Sequence, residues 1–144
     1  MAKAQKSEFT PKHPEKYKGT YPIVARSSWE LAVFTKFDLH PNVIQWASES
    51  VSIPYQNPIT GKFARYVPDL LVVYLDKNNK QHAELIEIKP MRETLLERAR
   101  TKRDKLSVAI NTAKWRAAMA FCQRNNLKFR VLTEEQLFAG KHSK

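Results

Sequence analysis

The chain has 144 residues, 42% apolar and 27% charged, with a formal net charge of +11 and a pI of about 9.9. That length and apolar share suffice for one folded core, and the charge excess points to a polyanionic partner, nucleic acid ahead of an acidic membrane surface. No apolar run approaches the ~20 residues of a membrane span, and MAKAQKSEF has no apolar centre of a signal peptide. The lone Cys122 excludes an intrachain disulfide and fits a reducing compartment, and three glycines leave no Gly-rich phosphate loop.

In chain order, residues 1–25 carry Lys3, Lys6, Lys12, Lys16 and Lys18 against Glu8 and Glu15, and Pro11, Pro14 and Pro22 interrupt any helix. The expectation is an extended basic arm ahead of one domain at 26–144, with a solvated tail and a phosphate- or partner-contacting arm both open. Over 27–38 Leu31, Phe34 and Phe37 recur at helix spacing, and Ser27 with Glu30 forms a capping box that gives Glu30 a structural role. Pro41 ends this helix. The block VIQWASESVSIPY suggests a strand at 51–53 with Glu49 just ahead of it. After the turn signals Asn57-Pro58 and Thr60-Gly61, residues 63–67 resume an extended segment, giving an antiparallel pair.

Residues 70–75, LLVVYL, form a continuous apolar run, as expected of a strand covered on both faces. Residues 76–80 turn the chain, Ala83, Leu85, Ile86 and Ile88 mark the next strand, and Pro90 stops it. Residues 91–112 read as a basic helix, and 113–124 as a second helix with Trp115, Ala118, Met119 and Cys122 on one side. Asn125-Asn126 ends it, residues 129–132 form a fourth core strand, Thr133 with Gln136 caps a last short helix, and Gly140 begins the tail. An antiparallel meander followed by a helical crossover predicts an α/β fold, a mixed sheet flanked by helices.

The chemistry concentrates at the open end of one hairpin. Asp69 opens a strand directly after Pro68, and Glu87 and Lys89 close the next one directly before Pro90. Strand alternation turns Glu87 and Lys89 to one face, ~7 Å apart, and Ile86 and Ile88 to the other. Bland readings exist for each residue alone: an ion pair of Asp69 with Arg65, or a solvent-facing Glu–Lys pair. Together, two carboxylates and an amine suit Mg²⁺ and a scissile phosphate, with Mn²⁺ as a substitute. A zinc centre is disfavoured, because Cys122 is alone and His13, His40, His82 and His142 lack ligand spacing. Between Lys89 and Arg116, nine basic residues face three acidic ones, more than half of the chain's excess charge. Arg26, Arg92, Arg98, Arg100, Lys102, Arg103, Lys105 and Lys114 are the candidate DNA-backbone contacts, which position without reading sequence, so weak sequence preference is expected.

Pro68-Asp69, followed eighteen residues on by Glu87-Ile88-Lys89, resembles the PD-(D/E)xK nuclease signature, with the Asp opening a strand, the ExK closing the next and an acid-bearing helix ahead of both. That superfamily has a restriction-endonuclease-like fold. The resemblance implies a Mg²⁺ site of Glu30, Asp69, Glu87 and the Ile88 carbonyl, with Lys89 as the catalytic amine; Glu30 in RSSWE matches the helix acid of the related TnsA-like nucleases. Glu49 is a candidate additional acid. Across nearly the whole chain, PEKYKG, RSSWE, VIQWASESVSIPY, RYVPD, IEIKP, NTAKWRAAMAF and KFRVLTEEQL are similar to the head-completion proteins of T-even-like tailed phages. This resemblance implies a Mg²⁺-dependent deoxyribonuclease acting on double-stranded DNA at the packaged end or portal, late in assembly. It would work in the host cytoplasm, with virion association open, beside portal, neck or head proteins and no membrane, as a monomer or dimer. Two alternatives stay open: a DNA-binding assembly protein with a relic nuclease fold, and a structure-specific resolvase or transposase subunit.

Overall fold

A computed structural model of the chain describes residues 6–139. The elements run β1 (Ser7–Phe9), β2 (Ile23–Ala25), α1 (Ser28–Leu39), β3 (Val43–Ser48), β4 (Ile53–Gln56), β5 (Phe63–Tyr66), β6 (Leu70–Leu75), β7 (Gln81–Ile88), α2 (Lys102–Arg124), β8 (Lys128–Leu132) and α3 (Glu134–Ala139), with 3₁₀ turns at Pro14–Lys16, Met91–Glu93 and Leu96–Arg98. The central sheet has the order β3-β6-β7-β8. Its first three strands are antiparallel, and β8 lies parallel to β7. A parallel neighbour needs a crossover, which α2 provides. Two small ribbons, β1–β2 and β4–β5, flank this sheet.

Alternation along β6 and β7 divides the apolar residues between two cores. Leu70, Val72, Ile86 and Ile88 join Val33, Phe34 and Trp46 on the α1 side, while Leu71 and Leu85 join Ile53, Tyr55, Tyr66, Ala118 and Cys122 on the α2 side. A sheet covered on both faces accounts for the unbroken run LLVVYL. Trp46, 1% exposed, centres the first core, with the rings of Phe9, Tyr17, Phe34 and Phe37 packed around it. Each such aromatic pair adds about 0.5–1.5 kcal/mol beyond area burial. Among the described residues, no helix is long and apolar enough to cross a membrane.

The structure departs from the sequence reading in three places. Residues 6–25 are packed onto the domain rather than forming an extended arm. Tyr17, Ile23 and Ala25 belong to the first core. The buried Asp38 carboxylate accepts the Lys12 and His13 backbone N–H groups at 2.7 and 2.9 Å. The physical reason is that apolar residues spaced among the lysines bury together; residues 1–5, and the tail from Gly140, lie outside the described residues.

Second, β3 is a full sheet strand where only 51–53 was expected to be extended. A register shift between Val43 and Gln45 turns Ile44 outward at 42% exposure and hides the period-two pattern. Third, the basic segment is not helical from 91, and the helix is not divided near 113. It begins at Lys102, where the Thr101 hydroxyl accepts the Asp104 N–H at 3.0 Å and an Asp104 carboxylate oxygen accepts the Arg100 N–H at 3.0 Å. No Gly or Pro interrupts it before Asn125 and the left-handed Asn126 at φ 58°.

Candidate active site

The β6–β7 ladder ends at the pair Leu70–Ile86, so one step further Asp69 falls opposite Glu87. Pro68, almost fully buried, cannot extend the ladder as a donor and sets Asp69 at the strand's mouth. The Ile88 N–H donates to Asp69 Oδ2 at 2.8 Å, fixing that carboxylate against β7. Glu87 is 6% exposed. It accepts the Tyr66 hydroxyl on Oε1 at 2.8 Å, and its Oε2 lies 3.9 Å from Lys89 Nζ. Lys89 is held from behind, its N–H donating to the Leu132 carbonyl at 3.0 Å. The hairpin thus brings Asp69, Glu87 and Lys89 together.

The electrostatics are those of a strained anionic pair. Burial pushes the Asp69 carboxyl well above its ordinary value, the Glu87 charge pushes it further, and the Ile88 N–H only partly offsets this. Burial also raises Glu87, against the opposing influence of Lys89, the Tyr66 hydroxyl and Lys114. Burial, then Glu87, raises the Tyr66 phenol far enough that it serves as a fixed donor.

Glu30 does two things. Its backbone N–H donates to the Ser27 hydroxyl at 3.2 Å, and its Oε1 accepts the Arg26 N–H at 3.1 Å, so the helix cap is real. The same carboxylate is raised by burial and interacts with the charge of Lys89, and it in turn raises Asp69. Glu49 borders the site through its backbone: its N–H donates to the Asp69 carbonyl at 3.0 Å from a left-handed conformation, φ 50°. Its carboxylate is engaged elsewhere, taking Arg26 Nε at 3.0 Å and Nη2 at 2.9 Å in a bidentate pair. Arg26 is therefore bound to Glu49 rather than free for a phosphate. Arg65, the bland partner for Asp69, instead donates to the Ser52 hydroxyl.

Arg100, Lys102, Arg103 and Lys105 are exposed around the start of α2. Arg92 leans on Asp104 at 3.7 Å and Arg98 on Glu135 at 3.7 Å. Arg92, Arg100 and Arg103 line a cavity of about 590 Å³. Lys114 stands apart from this group. Its Nζ lies 5.8 and 5.6 Å from the ring centroids of Tyr55 and Tyr66, beside Glu87. Tyr66, Tyr55 and the placement of Lys114 are what sequence reasoning missed. One signal was available: Lys114 falls four residues from both Ile110 and Ala118, on the face of α2 that packs on the second core.

Among the described residues, no three His, Cys, Asp or Glu side chains cluster closely enough to hold a metal by themselves. The donors at the mouth are oxygens alone, from Asp69 and Glu87, whose mutual repulsion in a buried setting a hard divalent cation would relieve. That set fits Mg²⁺, which is commonly held by one or two carboxylates with water and substrate oxygens completing its shell.

A mixed sheet flanked by helices, with an Asp opening one central strand and an E-x-K closing the next, defines a restriction-endonuclease-like domain of the PD-(D/E)xK type. The family model "TnsA-like endonuclease N terminal" matches residues 40–134, and the chain belongs to that family. It is also 35% identical over 147 residues to the head completion nuclease of Enterobacteria phage T4, an alignment covering 94% of this chain and 95% of that protein.

Proposed function

We propose that this protein is a DNA endonuclease of phage head completion, hydrolysing phosphodiester bonds at the packaged DNA end or portal with Mg²⁺ as cofactor. The observation that carries this reading is the pair of facing, buried carboxylates, Asp69 and Glu87, with Lys89 beside them at the edge of the sheet. A purely structural role would favour neutral or apolar residues there, because two like charges in a buried site are costly. The similarity to the T4 head completion nuclease supports the biological setting.

Asp69, Glu87 and the Ile88 carbonyl would hold the cation, with Glu30 completing its surroundings. A cation held there would supply positive charge at the phosphoryl oxygens and would favour ionisation of a water molecule. The protein's own groups then do the following. Lys89, tied to β8 through its backbone N–H and with Nζ 3.9 Å from Glu87 Oε2, orients the attacking water in line with the leaving oxygen, or stabilises charge growing on the phosphorus oxygens. Tyr66 holds Glu87 in its ionised orientation. The water oxygen bonds to phosphorus as its proton passes to solvent, the ester P–O bond breaks, and the released alkoxide takes up a proton from solvent. The exposed cations at the start of α2 hold the DNA backbone.

Nicking of supercoiled plasmid tests the reading. With Mg²⁺ the protein converts supercoiled DNA to open circles; with EDTA, or as Asp69→Asn or Lys89→Ala, conversion falls by about 10³-fold or more. No nicking by the unaltered protein under any divalent cation, or undiminished nicking by Asp69→Asn, would falsify it.

A further inference from the structure

Lys114 carries its amine over two aromatic rings. Among the described residues, Nζ makes no hydrogen bond, and no carboxylate lies within ion-pair distance. It is half-buried between the faces of Tyr55 and Tyr66, whose rings attract a cation without using any of its three N–H donors. Burial and the neighbouring Lys89 both lower its pKa, while Glu87 and Asp69 raise it. Two ammonium groups therefore flank the same pair of carboxylates and repel one another. A cation held desolvated, with donors unspent and a like charge nearby, is an arrangement completed by an anionic oxygen.

The charge count agrees. With Glu30, Asp69 and Glu87 ionised and Lys89 and Lys114 protonated, the state a bound divalent cation would favour, these side chains carry one net negative charge, since Arg26 and Glu49 cancel. A divalent cation converts that to one net positive charge, the complement of a phosphodiester. Without Lys114 the loaded site would be neutral and would hold the substrate's charge less well.

We propose that Lys114 is a second catalytic amine of this site, its Nζ contacting a non-bridging oxygen of the scissile phosphate from the α2 side while Lys89 works from the sheet. This rests on the nuclease reading above. It separates Lys114 from Lys102, Arg103 and Lys105, which lie about three turns earlier on α2 and face the flanking backbone. Tyr55 and Tyr66 act as positioning residues for the amine.

Two measurements test this together: the single-turnover cleavage rate at saturating duplex DNA and Mg²⁺, and the salt dependence of duplex binding in EDTA, read by fluorescence anisotropy. For Lys114→Gln the cleavage rate falls about 10²–10³-fold, the scale of losing one donor to the developing charge. The slope of log affinity against log salt becomes shallower by about 0.9, one phosphate contact. Lys114→Arg keeps the slope and stays within about tenfold of the unaltered rate. Lys77→Gln, in the turn at the far end of the hairpin, changes neither. Should Lys114→Gln fail to fold by circular dichroism, Lys114→Met, which keeps the stem over the two rings, is judged by the same numbers.

A Lys114→Gln rate within about threefold of the unaltered protein overturns the catalytic role. A lost rate with an unchanged salt slope overturns the phosphate contact and leaves the amine as a counter-charge to Glu87. If the unaltered protein cleaves nothing, the nuclease reading falls and the catalytic role with it, and the salt slope alone then decides whether Lys114 contacts a phosphate.

Discussion

Asp69→Asn should make the protein more stable while abolishing cleavage. Asp69, one step before β6, falls opposite Glu87 of β7, and in such opposed positions Cβ atoms lie about 5 Å apart. Two carboxylate charges about 6 Å apart at an effective dielectric near 20 repel by about 3 kcal/mol, and Lys89 offsets part of this. Asparagine removes the charge and can still accept the Ile88 N–H through its amide oxygen. The expected gain in EDTA at neutral pH is about 1–2 kcal/mol, a rise in Tm of roughly 3–8 °C for a domain of this size.

The pH dependence has a definite sign. Both carboxyls are raised in the folded state. Between their unfolded and folded values the native protein binds more protons, so stability in EDTA increases as pH falls through the folded values and is lost as pH rises through them. Asp69→Asn flattens that dependence. Mg²⁺ should raise the Tm of the unaltered protein most at neutral to alkaline pH, where both carboxylates are ionised, and should shift the Asn variant little. The assay is thermal denaturation by circular dichroism in EDTA and in millimolar Mg²⁺. An Asn variant less stable than the parent in EDTA, or one stabilised equally by Mg²⁺, would refute the view that the pair is strained and awaits a cation.

Three further expectations follow from particular contacts. Tyr66→Phe leaves Glu87 Oε1 without its 2.8 Å donor, costing about 1–3 kcal/mol in urea denaturation and lowering cleavage, and an unchanged urea midpoint would show that the hydroxyl contributes nothing. Replacing Lys102, Arg103 and Lys105 together by Gln should reduce the salt slope of DNA binding by up to about 2.7 and weaken all duplex sequences alike; sequence-selective weakening would contradict a backbone-only role. Asp38→Ala removes the acceptor of the Lys12 and His13 N–H groups and should cost about 2–4 kcal/mol, with limited proteolysis then attacking residues 6–25 first; protection equal to the parent's would show that this tie does not hold the segment.

The hairpin was legible from sequence because its signals are local. Pro68 and Pro90 bracket it, residues 76–80 turn it, and a period of two puts Glu87 opposite in sense to Ile86 and Ile88. What escaped depends on tertiary geometry. The bulge at Ile44 broke the pattern that would have marked β3. Arg26 meets Glu49 from 23 residues away, and Glu49 adopts a left-handed conformation that no residue type there signals. Lys114 read as one more charge on a basic helix, because its neighbours Tyr55 and Tyr66 come from the β4–β5 ribbon, about fifty residues earlier in the chain. The N-terminal segment looked like a tail because its apolar residues, Phe9, Tyr17 and Ile23, are too far apart to show a period.

Glu30 is where local and tertiary readings meet. As the third residue of its helix it accepts the Arg26 N–H through Oε1, a bond that a glutamine amide oxygen can also accept. As a buried carboxylate it interacts with the charges of Asp69 and Lys89, which a glutamine cannot do. Glu30→Gln therefore separates the two roles. The cap survives, so the Tm in EDTA should stay level or rise as a partly desolvated charge is removed. If the carboxylate serves the cation or the attacking water, cleavage falls about 10²-fold or more with the fold intact, and the Mg²⁺ dependence moves to higher concentration. Unchanged cleavage with an unchanged Tm would leave Glu30 as a cap alone, and the site would then consist of Asp69, Glu87 and the two lysines.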